Sequence, residues 1–453
     1  MVNKKPSQYF RPFLAMGFVL APIFIGLLCL CKLFRYKVSI FIVRNRFFGH
    51  LAIDTELQLQ ITSGSLRICA LEWPISANLE LERIIRHHVH FLPYWIVWPT
   101  WRALLSVSNR LKIEFGPIGF LDAYREVKYF HLLANTKREL KLDLNDDLQR
   151  EVLSELGLES KKYFCIALRD GSYHKERLPR QELEAYRNHN FEKYVPAILD
   201  LPELQFVRLG RTSYRKFDLP NLLDYTGDKN QTDVGDLVII SNSLGLVTGG
   251  DGISAVAHVL NTPTLYLRFA PWEVFPTFSD RSWIVPALLR DRADNRFLTI
   301  RETFACDKGL GFNWPFPAQE NLYIHEYSSN EVSCFIEEFA TACSDLHNQR
   351  GTRISSKDLE SEFWDQYFRF LPRRFRDNLP MHSNILASIP SSFLINYLSF
   401  LVMDPSKPPS RGFGSGAIKS LQPSGAASNP NTGRQRDRSS SDERSVSGRM
   451  RTG

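Results

Sequence analysis

The chain has 453 residues and a mass of 52.3 kDa, which suits two domains of about 150 residues with terminal extensions better than a single core. Its 43% hydrophobic and 23% charged residues are typical of a folded globular protein and exclude a disordered, fibrous or polytopic membrane chain. The net charge of +7 is concentrated at the ends, because residues 1–46 hold eight Lys or Arg and no acidic residue, whereas residues 47–404 carry −7. This distribution predicts no nucleic-acid partner.

The first predicted element is a membrane anchor over residues 1–35. Twenty uncharged residues run from Pro12 to Cys31, which is the minimum length for one span, and no small-residue cleavage site follows them. A buried helix interrupted by Pro22 is the alternative. More basic residues follow the segment than precede it, which favours a membrane-associated protein with a cytoplasmic body.

Residues 36–160 are predicted to form a Rossmann-like domain that holds the acceptor. Val38–Val43 reads as a buried strand, the next residues as a loop with Gly49, and Leu51–Gln60 as a helix. A further strand is expected at Leu66–Leu71, and a helix between a cap at Asn145 and a stop at Gly157.

A histidine cluster in this half precedes an aromatic segment that ends at Trp101. His87, His88 and His90 make a zinc site conceivable, although no fourth ligand follows at a usual spacing. The seven cysteines of the chain contain no CxxC pair, which indicates a reduced compartment without a disulfide framework. The aromatic side chains favour a core or a domain interface, with an acceptor groove or a membrane-facing patch as alternatives.

Residues 161–345 are predicted to form a second Rossmann-like domain, which holds the donor. Strands alternate with helices here, and this pattern predicts a parallel sheet whose ligand lies at the carboxyl ends of the strands. The strands are expected at Lys162–Leu168, Leu204–Gly210, Leu244–Gly249 and Thr262–Phe269, and the helices at Phe191–Leu201, Val234–Ser241 and Gly252–Leu260.

Two segments follow this domain. Residues 346–404 are expected to form a helical closing segment, in which Ser388–Met403 either packs on the body or makes a second membrane contact. Residues 405–453 are rich in Pro, Ser, Gly and Arg without an apolar period, which predicts a disordered tail.

A glycine-rich turn, Thr248–Ser254, lies between a predicted strand and a predicted helix. Glycines there let a ligand approach the backbone, and the first amides of the helix, including those of Ile253 and Ser254, point towards an anion. The turn is a candidate diphosphate cradle, with a purely structural turn as the alternative. The carboxylate of Asp251 would repel a phosphate unless it caps the helix, holds a sugar hydroxyl or accepts a proton.

Polar residues recur at the ends of the predicted strands. Arg169 and Asp170 end the first strand, where an arginine clamps phosphate oxygens and stabilises a leaving diphosphate; a solvated ion pair is the alternative. The residues that we interpret as donor-binding are Tyr186, Arg187, Asn188, Gly210, Arg211, Asp224, Tyr225, Gly249, Gly250, Gly252, Ile253 and Ser254.

The ordered set of motifs resembles a family of bacterial glycosyltransferases from surface-polysaccharide loci. That family shows H-V-R-D-S-G-Y, Y-R-N, R-M-G, D-Y and G-T-x-S-G-L in this order, and the chain shows its own versions from Ile166 to Pro263. Two departures stand out: Ala167 replaces the family histidine, and Gly250 and Asp251 replace the Thr/Ser part of the glycine turn. The resemblance implies a GT-B fold, in which two Rossmann-like domains face a cleft.

These observations predict a glycosyltransferase that moves a sugar from a nucleotide-sugar donor to a surface-polysaccharide or lipid-linked glycan acceptor. We expect inversion, because no nucleophile with a partner base stands out, and no metal or cofactor beyond the nucleotide sugar, because no D-x-D follows a strand. Asp170, Asp251 and His50, in that order, are the candidate bases. A catalytically inactive scaffold is the alternative, and an oxidoreductase is disfavoured by the lack of G-x-G-x-x-G after the first strand.

Overall fold

In the part of the chain that the structure describes, the protein is an α/β fold with two parallel sheets and one small antiparallel pair of strands. The predicted tail, 405–453, lies outside the residues that the structure describes, as does most of the loop after Asp170. The computed structural model describes residues 11–111, 130–134, 138–140, 144–170, 186–211, 213, 215–227, 229–306, 321–347, 357–376 and 385–402.

The strands fall into three groups. The first sheet contains β1 (Val38–Val43), β2 (Leu66–Leu71) and β3 (His90–Phe91), all parallel. An antiparallel pair joins β10 (Leu289–Asp291) to β11 (Leu322–Ile324). The second sheet contains β4 (Tyr163–Ala167), β5 (Gln205–Arg208), β6 (Leu222–Asp224), β7 (Gly245–Thr248), β8 (Thr264–Phe269) and β9 (Ser282–Pro286).

Helices connect and cover the strands. In chain order they are α1 (Arg11–Leu33), α2 (Thr55–Ile61), α3 (Leu79–Arg86), α4 (Tyr94–Leu111), α5 (Phe130–Leu133), α6 (Asp146–Glu155), α7 (Val195–Leu199), α8 (Asp233–Asn242), α9 (Gly252–Val259), α10 (Ile300–Cys306), α11 (Ser329–His347), α12 (Lys357–Phe370), α13 (Arg373–Arg376) and α14 (Ser391–Val402). A π-helical segment, His50–Asp54, precedes α2, and short 3-10 turns lie at Phe191–Tyr194 and Trp272–Val274.

The second sheet confirms the predicted parallel arrangement. Its strand order is β6-β5-β4-β7-β8-β9 and every neighbouring pair is parallel. Because β4 begins at the centre and β7 continues on its other side, the direction of winding reverses between these two strands. Open sheets of this kind bind ligands at the carboxyl edge beside such a reversal. All five residues of β4 are buried, as expected for a strand covered on both faces.

Helix α1 lies against α4. Within the described residues, no helix combines the length and the apolar character needed to cross a membrane, so the predicted span over residues 1–35 is not supported. Gly17 lies against the backbone of Trp95, and the ring of Phe18 meets that of Trp98 edge-on. Both helices contact the apolar core on one face of the first sheet.

The two halves of the chain share one apolar core. Phe41 of β1 and Leu57 of α2 belong to the same cluster of buried side chains as Val238 of α8 and Val256 of α9. The first sheet is therefore packed through α2 and α3 onto helices of the second sheet. Helix α14 is buried along one face through residues such as Phe393 and Tyr397, which matches the packed alternative for this closing helix.

A polar junction ties α3 to α8 beside this shared core. The Oδ1 atom of Asn78 accepts the Leu81 amide as the helix cap, and its Nδ2 atom donates to the carbonyl of Asp233 at 2.9 Å. Arg211 pairs with Asp233 and lies 3.4 Å from the carboxylate of Asp236. Burial raises the pKa of Asp236 to about 6, although Gln231 and Arg211 oppose this shift.

Asp236 is expected to make the protein less stable as the pH rises. The folded chain keeps this proton up to about pH 6, while the unfolded chain loses it near its ordinary value of 3.8. The stabilisation is fully present below the unfolded pKa and is lost as the pH rises through about 6, with a total of about 3 kcal/mol. Urea unfolding at several values between pH 4 and 7 should therefore show a falling stability that Asp236→Asn flattens.

The control variant is Asp147→Asn, because that carboxylate is 78% exposed on α6. It should leave the slope of stability against pH unchanged. A slope that is the same in Asp236→Asn and in the native chain would contradict the assignment.

Candidate active site at the edge of the second sheet

The candidate site lies where β4 and β7 end side by side. Ala167 of β4 pairs with Thr248 of β7, so Arg169 and the glycine turn begin on neighbouring strands at the same edge of the sheet. This edge coincides with the reversal of winding, where ligands of doubly wound sheets bind. The structure therefore brings together two motifs that the sequence placed about 80 residues apart.

Three arginines lie near a buried histidine at this edge. The His189 amide donates to the carbonyl of Arg169 at 2.7 Å, and its Nδ1 atom lies 2.6 Å from the Tyr194 hydroxyl. Burial lowers the pKa of His189 well below its ordinary value, and the charges of Arg268, Arg187 and Arg169 lower it further. A neutral imidazole near three arginine charges leaves positive charge at this edge, which Glu326 offsets in part by pairing with Arg268.

Two of these arginines are held in place by backbone carbonyls. Arg187 donates to the carbonyl of Gly250 in the glycine turn. Arg268, at the end of β8, donates to the carbonyl of Asn188 and pairs with Glu326. Its backbone has φ = +51°, which is rare for a residue with a side chain and is often found at functional sites.

The glycines of the turn face protein atoms. A Cβ atom on Gly249 would overlap the His189 ring, and one on Gly250, whose φ is +85°, would overlap the Phe269 ring. A Cβ atom on Gly252 would lie 3.1 Å from the amide nitrogen of Gly49. Gly249 and Gly250 are therefore required by close packing within the protein, as in the structural-turn alternative, and a side chain at Gly252 would need the Gly49 backbone to shift by a few tenths of an ångström.

Asp251 caps α9 with its own carboxylate. Its Oδ1 atom accepts the amides of Ile253 at 3.0 Å and Ser254 at 3.2 Å. Burial raises the pKa of Asp251, although these two amides and Arg187 counteract the shift. Of the three roles that the sequence left open for this residue, the geometry favours helix capping, and the amides expected to hold a phosphate already bind this carboxylate.

The first sheet contributes a histidine and a carboxylate to the same region. The Nδ1 atom of His50 lies 2.9 Å from Oδ2 of Asp54, and Arg44 approaches that oxygen at 3.5 Å. Asp54 is buried, whereas the side chain of His50 is 28% exposed. When Nδ1 donates to Asp54, the Nε2 atom is left as an acceptor for a proton.

A contact between two glycines places this pair beside the glycine turn. A Cβ atom on Gly49 would lie 2.7 Å from the Cα of Gly252, so the loop after β1 touches the start of α9. His50 follows Gly49 and Asp251 precedes Gly252, so the Cα atoms of His50 and Asp251 lie within about 12 Å of each other. The carboxyl edges of the two sheets thus meet at one place.

Other predicted site residues make structural contacts within the protein. Arg208 pairs with Asp224 at 2.9 Å; burial favours a raised pKa for Asp224, but hydrogen bonds from Thr226 and Phe217 and the charge of Arg208 lower it. Arg211 belongs to the junction with α8. The remaining positions are Tyr186 and Tyr225, which are buried, Gly210, whose carbonyl accepts the Gly227 amide, and Asp170, which accepts a hydrogen bond from Ser213 at 3.3 Å.

Three residues of the site were not predicted. His189 follows the Y-R-N motif directly, and Arg268 stands at the end of a predicted strand. Both could therefore have been predicted from their positions in the sequence. Asp54 lies four residues after His50, one turn along the same helical segment. Among the described residues, no three His, Cys, Asp or Glu side chains form a group that could hold a metal ion.

No family model matches the chain, and no curated protein matches it either. Among solved structures, the ADP-heptose LPS heptosyltransferase II of E. coli is 11% identical, with 55% of this chain and 90% of that chain covered and a TM-score of 0.36. E. coli heptosyltransferase WaaC with ADP-2-deoxy-2-fluoro heptose is also 11% identical, with coverage of 66% and 99% and a TM-score of 0.30. The iron-containing dodecameric glycosyltransferase TibC from enterotoxigenic E. coli is 11% identical, with coverage of 51% and 58% and a TM-score of 0.30. Because these scores are below 0.5, the proposal of a function below rests on the chain's own geometry.

Gly249→Ala should destabilise the protein by about 1–3 kcal/mol, because the new methyl group has to displace the buried His189 ring. The measurement is urea unfolding. Gly26→Ala in α1 is the control, because a Cβ atom there meets nothing within 4 Å and alanine favours a helix. Equal stabilities of the two variants would show that His189 does not pack against the turn.

Proposed function

We propose that the protein is a glycosyltransferase of the GT-B type that uses a nucleotide-diphosphate sugar as donor. The observation that carries the proposal is the Gly49–Gly252 contact, which brings the His50–Asp54 pair to the arginine-lined edge of the second sheet. One edge supplies positive charge for a diphosphate, and the other supplies a proton acceptor. Transfer of a sugar from a diphosphate to a hydroxyl group needs both.

The second sheet would bind the donor. The charges of Arg169, Arg187 and Arg268 all act on His189, and guanidinium groups bind phosphate oxygens in a bidentate manner. As the bond between the sugar and the phosphate oxygen breaks, the electron pair leaves with that oxygen and negative charge grows on the diphosphate. Arg169 would stabilise this charge, as predicted from the sequence.

The first sheet would bind the acceptor and supply the base. The acceptor hydroxyl attacks the anomeric carbon as its proton passes to Nε2 of His50. Asp54 orients the ring and stabilises the imidazolium that forms, and Arg44 holds Asp54 in place. We therefore place His50 ahead of Asp170 and Asp251 as the base, since Asp251 caps α9. Direct displacement inverts the configuration of the sugar, and in this scheme the arginines carry the charge without a metal.

A catalytically inactive binding protein is the second candidate. It is favoured by the carboxylate of Asp251, which occupies the α9 amides that would otherwise face a phosphate. Both functions predict donor binding at the arginine site, but only the enzyme predicts release of a nucleoside diphosphate when an acceptor is added.

Donor binding is tested first. Calorimetric titration of the full chain with UDP, GDP and ADP in the presence of EDTA should show saturable binding of at least one of them. Lack of binding to all three would contradict the proposal, and binding that requires a divalent ion would contradict its metal-independent form.

Arg169→Ala should lower turnover about a hundredfold or more, the scale for removing one partner of a charge that develops in the transition state. Arg169→Lys should recover little, because an ammonium group lacks the bidentate fork. The assay follows nucleoside diphosphate release across a panel of nucleotide sugars and glycan acceptors. Arg150→Ala is the control, because that side chain is 77% exposed on α6. Full activity of Arg169→Ala would overturn its role.

His50→Gln should reduce kcat by about a hundredfold or more, while nucleotide binding persists. It should also remove the part of the pH–rate profile that reports the ionisation of a base. Asp54→Asn should lower kcat as well, since an amide no longer stabilises the imidazolium. The measurements are pH–rate profiles and calorimetric binding constants. If His50→Gln kept the native profile, another group would be the base.

A further inference from the structure

Helix α1 carries an exposed apolar stripe along its length. Six side chains at spacings of three or four residues, which place them on one face of a helix, are each between 47% and 74% exposed. Monomeric proteins rarely expose a contiguous apolar patch of this extent without a partner. We call this face the outer stripe, and its members are Phe13, Met16, Val19, Ile23, Leu27 and Leu30.

The opposite face of α1 is attached to the body of the protein. Ala21 is 2% exposed, and Gly17 lies so close to the carbonyl of Trp95 that a Cβ atom there would overlap it. Further along the helix, Ile25 and Leu28 pack against the core between α4 and the first sheet. Because one side of α1 contacts the body over about three turns, lipid cannot surround the whole helix.

The charges next to the stripe indicate what covers it. Arg35 and Lys37 follow α1 directly and are exposed, with the exposed aromatic side chains of Phe34 and Tyr36 beside them. Residues 1–46 contain no acidic residue. Basic and aromatic residues beside an apolar face are typical of helices that lie in the interface of an anionic membrane.

A second copy of the chain is the competing occupant. Arg11 begins α1 and Arg35 follows its end, so both ends of the helix are basic. Pairing two such helices in either direction would bring like charges together, with no carboxylate in this segment to compensate. The charge pattern therefore favours a lipid surface.

We propose that the outer stripe inserts into the surface of an anionic lipid bilayer, with α1 parallel to the membrane plane and the body on one side. This differs from the span that the sequence predicted, because the helix lies in one leaflet. The proposal is independent of the glycosyltransferase assignment, since no residue of the candidate site takes part.

Vesicle sedimentation of the full chain tests the surface. Binding should be stronger to phosphatidylcholine vesicles with a quarter phosphatidylglycerol than to phosphatidylcholine alone. The double variant Val19→Asp/Ile23→Asp should lower partitioning at least about tenfold, because it replaces two apolar side chains that would insert into the membrane with charged ones. Ile75→Asp is the matched control, since Ile75 is 76% exposed outside α1 and should bind as the native chain does. Arg35→Glu/Lys37→Glu should abolish the preference for anionic lipid.

The orientation is tested by depth. Fluorophores attached at Met16→Cys and Leu27→Cys lie on the same face, about 16 Å apart along the helix axis. Lipids with labels at known depths are placed in the outer leaflet alone. They should quench both sites equally and at a shallow depth, whereas a spanning helix would carry one of the two sites into the other leaflet. Unequal depths, or native binding by Val19→Asp/Ile23→Asp, would overturn the proposal. So would a lipid-free dimer in gel filtration that this double variant dissociates.

Discussion

Gly49 and Gly252 pack backbone against backbone, and this close approach determines where the two sheets meet. A side chain at Gly49 would come within 2.7 Å of the Gly252 Cα atom and push the loop after β1 away from α9. His50 and Asp251 flank the contact, so the absence of a side chain at Gly49 lets the two edges come this close. The arginine cluster and the His50–Asp54 pair depend on this contact for their proximity.

The local elements of the fold could be predicted because each has a local cause. Strands β1 and β2 have the bounds that their apolar runs indicate, and α6 begins after Asn145, whose side chain accepts the Asp147 amide. Helix α1 was also visible as an apolar segment, but its support by α4 was not. That contact depends on Gly17 meeting Trp95, two positions that no local pattern connects.

The candidate site was predicted in part, and the reason lies in sheet order. Arg169 and the glycine turn could be assigned to strand ends, but their adjacency follows from β4 pairing with β7. Arg268 reaches Asn188 across 80 residues of chain, which spacing alone does not reveal. Asp251 was located correctly, but its role was not. The same sequence fits a helix cap, a contact to a sugar hydroxyl and a proton acceptor, and only the positions of the Ile253 and Ser254 amides distinguish these roles.

The apolar core shared by the two halves has a consequence for motion. Leu57 and Val256 lie in one buried cluster, so rotating one half against the other as rigid bodies would open packed apolar contacts and expose them to water. Large hinge movements are therefore costly in this chain. Ligands at the meeting edges should therefore exchange through local rearrangement of loops, which is fast. The two sheets should keep their relative positions while this happens.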